Sequence, residues 1–141
     1  MKIYRHPERP QRILFQEGIH HTPMMEFSIP VEKQKADAKI EHLLLHIEPG
    51  HDFVYHRHDY ASDILTVLQG NDLILTVDGR REILQAGDAI ITEPPEMHTI
   101  FNHGSQPAIL LETRVNVVPD DLINCDALRP ASEPPTEGKT A

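Results

Sequence analysis

The sequence is poor in cysteine and in basic residues, and it lacks long apolar runs. Its single cysteine, Cys125, excludes an intrachain disulfide and a thiolate-rich metal site, so metal ligands would be histidines and carboxylates. Thirteen Lys and Arg residues stand against 22 Asp and Glu, and the net charge is -9. That balance disfavours nucleic acid and acidic membranes, whose phosphates require a basic partner. The longest apolar runs, 43–45 and 89–91, fall far short of the roughly 20 residues that a membrane-spanning helix needs.

Length and composition are those of one globular domain. A chain of 141 residues can bury one hydrophobic core but is too short for two. Its hydrophobic content of 39% is ordinary for a globular protein. No apolar stretch follows the basic N-terminus, so we expect no secretory signal and a cytoplasmic protein.

The spacing of apolar residues and turn signals predicts an all-β fold. Apolar and polar side chains alternate from Glu41 to Glu48 with the period of a strand, and Asp78-Gly79 predicts a tight hairpin. Turns recur about every 8 to 12 residues, as in a sandwich or barrel. We therefore expect an irregular N-terminal arm over 1–12 and a β-barrel domain over 13–118. Residues 119–141 are proline-rich and predicted to be a largely disordered tail, ordered at most near Leu122 and Ile123.

Three of the ten histidines have a regular spacing with one acid and several glycines. His56 and His58 are two residues apart, so on a strand they project to the same face. Asp63 follows five residues after His58, and His98 follows eleven residues after Gly87. A single His-x-His pair indicates little in a histidine-rich chain, but the combined spacing is much more specific.

On these residues the sequence resembles the cupin superfamily, whose motifs are G-x5-H-x-H-x3,4-E-x6-G and G-x5-P-x-G-x2-H-x3-N. The first motif matches at Gly50, His56, His58 and Gly70, with Asp63 where the family usually has Glu. The second matches at Gly87, His98 and Asn102, with Glu93 and Pro95 in its proline and glycine positions. The resemblance implies a single-domain jelly-roll barrel that forms a homodimer through an exchanged N-terminal strand. It also implies a divalent metal held by His56, His58, Asp63 and His98.

The chemistry of these four side chains suits a transition metal. Three imidazoles and one carboxylate fit divalent Fe, Mn, Ni, Co or Zn, whereas calcium would want more oxygen ligands. In an octahedral site four protein ligands leave two positions for substrate, water or O2, which is typical of a catalytic metal. Asp63 is one methylene shorter than Glu and reaches about 1.5 Å less. Direct ligation by Asp63, a bridging water and a site of three histidines alone therefore stay open.

The alternation of side chains along a strand indicates further candidate residues for the site. Glu96 shares the parity of His98 and could act as a general base, and Tyr60 shares the parity of His58 and could donate a proton. Glu112 and Arg114 form a charge pair on one strand face, which we interpret as a solvated pair. His42 and His46 oppose a more apolar face and are expected to point outward.

Three functions are consistent with this pattern. The first is a metal-dependent enzyme acting on a small polar metabolite, with oxygenation slightly favoured because a histidine-rich site with two vacancies suits O2 activation. The second uses the same metal for isomerisation or lysis. The third is a non-catalytic protein that binds or senses a sugar or small metabolite. A proton-transfer group near the metal would separate the enzymes from the binder.

Overall fold

The computed structural model describes residues 11–29 and 38–130. Among these residues there are eleven strands and one short 3-10 helix, and no helix is long and apolar enough to cross a membrane. The strands are β1 (Ile13–Gln16), β2 (Ile19–Ile29), β3 (Ala38–Ile47), β4 (His56–Arg57), β5 (Ser62–Gln69), β6 (Leu73–Val77), β7 (Arg80–Leu84), β8 (Ala89–Thr92), β9 (His98–Asn102), β10 (Ala108–Val115) and β11 (Ile123–Asn124). The 3-10 helix is Asp126–Leu128.

The strands form two antiparallel sheets. The first sheet has the order β1-β2-β3-β10-β5-β8, and the second has the order β11-β4-β9-β6-β7. Strands distant in sequence are neighbours in space, as β3 and β5 on either side of β10 illustrate. The predicted all-β jelly-roll class is confirmed. The predicted hairpin at Asp78-Gly79 is also present, with φ of 46° and 83°, both in the left-handed region that a two-residue turn of this type requires.

The core lies between the sheets and is built by strand alternation. Over residues 42–47 of β3 the odd-numbered Leu43, Leu45 and Ile47 are buried, while the even-numbered residues are only partly covered, so His42 and His46 face outward as predicted. Leu45 lies beside Leu110 of β10, which lies beside Val67 of β5. Each such fully buried aliphatic side chain stabilises the fold by roughly 1.5–3 kcal/mol.

Toward one end of the barrel, the inward-facing side chains of β3, β10 and β5 are charged instead of apolar. One row beyond the leucines, Glu112 lies between Leu43 and Leu65. The next row brings together Glu41, Arg114 and Asp63. Charged side chains therefore occupy inward positions at this end, and the apolar core ends there.

The ordered chain extends further at the C-terminus than composition indicated. β11 pairs with β4, the amide of Cys125 donates to the carbonyl of Tyr55 at 2.7 Å, and Asp126 Oδ1 accepts the amide of Tyr55 at 2.9 Å. Arg129 forms an ion pair with Asp52, whose side chain is fully buried. Residues 119–130, assigned to the tail by composition, thus cover one edge of the second sheet. Of the predicted arm, Gln11 and Arg12 precede β1 without regular structure, and residues 1–10, 30–37 and 131–141 lie outside the described residues.

Replacing Arg129 with Ala should destabilise the protein by about 3 kcal/mol, because it leaves the buried Asp52 carboxylate without its cation. The matched control is Arg80→Ala, which breaks an exposed pair with Glu82 and should cost less than about 1 kcal/mol. Urea unfolding followed by circular dichroism measures both free energies. Equal losses for the two variants would contradict an ordered segment clamped to the barrel by Arg129.

Candidate metal centre

The four residues predicted to hold a metal meet inside the charged end of the barrel. His56 is on β4, Asp63 on β5 and His98 on β9, and His58 follows β4 directly. His56 and His98 are paired across neighbouring strands. One potential ligand atom from each of the four residues lies within 4.8 Å of all the others, and each residue is at most 5% exposed. The sequence spacing therefore predicted a real cluster.

Backbone carbonyls fix the orientation of all three imidazoles. His56 Nδ1 lies 2.7 Å from the carbonyl oxygen of Val54, and His98 Nδ1 lies 2.9 Å from that of Glu96. His58 Nδ1 lies 2.8 Å from the carbonyl oxygen of Asp121. Because a carbonyl oxygen only accepts hydrogen bonds, each Nδ1 carries the proton. In the neutral ring Nε2 then carries no proton, and its lone pair can bind a metal.

The Nε2 atoms face the Asp63 carboxylate without a hydrogen bond to it. Asp63 Oδ2 lies 2.9 Å from His58 Nε2 and 3.8 Å from His98 Nε2. Both nitrogens are nevertheless buried without a partner in hydrogen-bonding geometry. Lone pairs of two imidazoles and a carboxylate oxygen repel one another unless a proton or a metal cation lies between them. The orphaned nitrogens, together with this donor set, fit a divalent transition metal.

Electrostatics keep His56 neutral and Asp63 ionised, whereas they favour a proton on His58. Burial, and then the neighbouring His98, lowers the pKa of His56 to about 3, so this ring is neutral at physiological pH. Burial alone would raise the pKa of Asp63, but the facing imidazoles of His58 and His98 and the charge of Arg114 outweigh it and hold that pKa well below its usual range. Burial opposes protonation of His58, yet the Asp63 carboxylate raises its pKa overall. The anion beside neutral His56 attracts a cation.

Two residues interpreted as solvated are in fact part of the centre. Arg114 Nε donates to Asp63 Oδ1 at 2.9 Å, and Arg114 Nη2 donates to Glu112 Oε1 at 2.7 Å. Glu112 is 4% exposed, and burial, followed by the charge of Asp63, raises its pKa to about 7 against the opposing effect of Arg114. The interpretation as a surface pair is wrong. Parity could have corrected it, because both residues share the parity of buried Leu110.

Two cavities adjoin the cluster. The inner cavity, of about 20 Å³, has room for roughly one water molecule. It is lined by Leu45, Phe53, His56, Asp63, Leu65, His98, Thr99, Ile100 and Glu112. The outer pocket, of about 270 Å³, is lined by Phe15, His21, Glu41, Leu43, His58, Arg114, Val118, Asp120, Asp121 and Leu122. Three residues of the cluster thus line the smaller cavity, and the fourth, His58, lines the larger pocket.

The two residues nominated for catalysis lie away from both cavities. Tyr60 is 62% exposed, and its side chain lines neither space. Glu96 is half-buried beside a third pocket between β6, β7 and β8, and its carboxylate accepts the amide of Glu93 at 2.7 Å. Its backbone carbonyl, rather than its carboxylate, orients His98. The catalytic roles of Glu96 and Tyr60 stay predictions.

Asp121 is a site residue that sequence reasoning missed. Its carboxylate accepts the amides of Asp59 at 2.8 Å and Ala61 at 2.9 Å, which shapes the turn after His58. Its carbonyl also accepts the Nδ1 proton of His58. No pattern signalled this role, because Asp121 falls in the proline-rich stretch taken for a tail and contacts His58 only through the fold.

Two antiparallel sheets enclosing a histidine–carboxylate cluster define a β-barrel protein able to hold a metal at one end. Residues 43–114, just over half of the chain, match the family described as Cupin domain. The chain therefore belongs to the cupin family, which confirms the resemblance drawn from its two motifs. No curated protein sequence matches this chain.

Several solved structures share the fold. KdgF from Halomonas sp. is 15% identical, with a TM-score of 0.65 over 78% of this chain and 89% of that one. A sugar phosphate isomerase from Silicibacter pomeroyi is 16% identical, with a TM-score of 0.61 over 77% of this chain and 72% of that one. A predicted oxalate decarboxylase from Thermotoga maritima is 21% identical, with a TM-score of 0.62 over 82% of this chain and all of that one. At these identities the likeness establishes the fold alone.

Changing His56 and His58 together to Ala should reduce bound metal from about one ion per chain to none, because it removes two of four converging donors. The matched control is His42→Ala with His46→Ala, two histidines on the outer face of β3. Metal is measured by mass spectrometry of untagged protein, and the fold by circular dichroism. Stoichiometric metal in the folded His56/His58 variant would refute this ligand assignment.

His21 in the outer pocket should make the metal-free protein sensitive to acid. Its ring packs 4.9 Å from that of Phe15, and burial, followed by the charge of Arg114, lowers its pKa from 6.5 to about 4. Between these two values the unfolded chain binds a proton that the folded chain does not, so stability falls as pH falls. His21→Phe should flatten that fall. The measurement is the free energy of unfolding from pH 7 to pH 4 with chelator present, and parallel curves for the two proteins would contradict the assignment.

Proposed function

We propose that this protein is a metal-dependent enzyme acting on a small polar metabolite. The observation that carries the proposal is the convergence of four buried donors, two of whose Nε2 atoms have no hydrogen-bond partner. A metal with only a structural role would have a closed ligand shell. Here two cavities reach the cluster, which supports access of small molecules to the ion.

In this proposal His56, His58, Asp63 and His98 hold one divalent Fe, Mn, Ni, Co or Zn ion. When bound, such an ion polarises an oxygen ligand and makes an adjacent C–H or O–H more acidic. The chain orients the three imidazoles through backbone carbonyls and keeps Asp63 ionised through Arg114. Water is limited on the inner side by Leu45, Leu65 and Ile100.

The two cavities favour oxygenation as the reaction. The inner cavity of about 20 Å³ suits a molecule the size of water or O2, and the outer pocket of about 270 Å³ suits a small metabolite. A dioxygenase needs both co-substrates at one centre, and this arrangement would bring them to it from different sides. The polar lining of the outer pocket, with Glu41, Arg114 and Asp120, is consistent with a substrate bearing hydroxyl or carbonyl groups.

A second candidate is isomerisation or lysis at the same centre. Glu112 lines the inner cavity, and its pKa of about 7 would allow it to exchange a proton near neutral pH. Similar structures are named as a sugar phosphate isomerase and a predicted oxalate decarboxylase, which supports reactions without net oxidation in this barrel. A non-catalytic protein that binds a sugar or metabolite is the third candidate. Glu112 weighs against it, because a simple binding site does not need a buried acid beside the ion.

Metal identity and oxygen uptake should distinguish these candidates. The untagged protein is expected to contain close to one first-row transition metal per chain. After anaerobic loading with Fe(II), it should consume O2 in proportion to an added β-diketone, catechol or hydroxy acid, and the His56/His58 double-alanine variant should consume none.

The other outcomes assign the other candidates. Turnover without O2 by protein loaded with Mn, Ni or Zn would establish an isomerase or lyase. Saturable ligand binding without turnover under any metal would establish a binder. If the purified protein contains no metal and binds none when a metal salt is added, the proposed metal centre is wrong.

We further propose that the protein is a homodimer. Edge strand β1 carries exposed apolar side chains at Ile13, Leu14 and Phe15. Leu68 of β5 and Ile91 of β8 are exposed on the outer face of the first sheet. An edge strand and an apolar face of this kind support pairing with a second copy, including exchange of the N-terminal strand.

A further inference from the structure

We infer that Arg114, supported by Glu112, is a positioning residue that makes Asp63 a metal ligand through one oxygen only. The inference rests on the proposed metal centre and assigns a role to residues outside its ligand set. It explains how an aspartate can stand where this type of site usually has a glutamate.

The two oxygens of Asp63 have different partners. Oδ1 accepts a hydrogen bond from Arg114 Nε at 2.9 Å. Oδ2 instead faces the histidines, at 2.9 Å from His58 Nε2 and 3.8 Å from His98 Nε2. The residue is 1% exposed, so both oxygens lie inside the barrel. One oxygen of the carboxylate therefore binds the guanidinium, and the other faces the nitrogens proposed to bind the metal.

Arg114 is itself held on two further sides. Its Nη2 donates to Glu112 Oε1 at 2.7 Å, and its Nη1 lies 3.9 Å from Glu41 Oε2. Strand register fixes this arrangement, because Arg114 lies between Asp63 and Glu41 across the sheet and Glu112 is two residues earlier on the same face. A planar guanidinium can serve Asp63 and Glu112 through two different nitrogens at once, which a lysine ammonium on its flexible chain cannot reproduce.

Glu112 anchors the guanidinium on the side away from Asp63. Its Oε1 accepts from Arg114 Nη2 while Arg114 Nε donates to Asp63 Oδ1, so the guanidinium is held between the two acids. Glu112 thus supports the position of Arg114 through a hydrogen bond.

Binding through one oxygen of Asp63 would leave more coordination positions of the ion accessible to small molecules. A carboxylate free to turn could present both oxygens and occupy two coordination positions, or turn away because its reach is short. Holding Oδ1 on Arg114 prevents both. An octahedral ion would then keep two positions for exogenous ligands.

The experiment uses Co²⁺ as the probe in the full-length protein, with the variants Arg114→Met, Arg114→Lys and Glu112→Gln. Glu82→Gln is the matched control, because it alters an exposed acid that pairs with Arg80 and has no contact with Arg114 or Asp63. Affinity is measured by competition with a chromophoric chelator, and coordination by the visible absorption of the bound Co²⁺. Circular dichroism verifies the fold of each variant.

Arg114→Met should lower affinity for Co²⁺ by about 10- to 100-fold and change the intensity of the visible bands, as loss of an outer-shell partner does. Arg114→Lys should recover only part of the affinity, Glu112→Gln should show a smaller loss of the same kind, and Glu82→Gln should resemble the wild type. A folded Arg114→Met protein with wild-type affinity and spectrum would overturn the inference. If that variant does not fold, wild-type values for both Arg114→Lys and Glu112→Gln would overturn it.

Failure of the metal centre itself gives a different result. If the wild-type protein binds no Co²⁺, the proposed function fails and all variants behave alike. If the wild type binds one ion and the Arg114 variants bind it equally well, only the positioning role fails.

Discussion

The structure depends on three imidazoles being held with their Nε2 atoms turned toward one carboxylate. Each ring is oriented by a backbone carbonyl, and the three carbonyls, of Val54, Glu96 and Asp121, come from separate parts of the chain. The site therefore exists only when the second sheet and the C-terminal segment are assembled. Buried Nε2 lone pairs that face a carboxylate oxygen without a cation are unfavourable. An ion at the centre would therefore stabilise the assembled barrel.

This dependence explains why residues 119–130 are ordered despite their composition. Leu122 packs against the core and Cys125 is buried, and the segment also satisfies buried polar groups: Arg129 pairs with Asp52, and Asp121 shapes the turn that carries His58. Hydrogen bonds to charged groups stabilise by roughly 1.5–3 kcal/mol each, so a few of them help to offset the entropy of ordering a short segment. Polar contacts and burial of these side chains together attach the segment.

The all-β class was predictable from local periodicity, which also placed His56 and His58 on one face. The full set with Asp63 and His98 followed from the resemblance of the two motifs to those of the cupin superfamily. Arg114 and Glu112 were interpreted as solvated because both are charged, although they share the parity of buried Leu110. Tyr60 was nominated by parity, but it lies in the turn between β4 and β5, where the period of a strand does not apply. Asp121 left no signal, since its contacts cross sixty residues of sequence.

The charged rows at the end of the barrel also bear on which cation the site would select. A proton can neutralise only one of the facing donors, because it forms one short bond, and it leaves His56, with its pKa near 3, without a partner. A divalent ion can contact all four donors at once and complements the ionised carboxylate of Asp63. Calcium would gain little from three nitrogens, which leaves the first-row transition metals. The carboxylate thus favours a divalent ion by its charge, and the neutral histidines favour a transition metal by their donor chemistry.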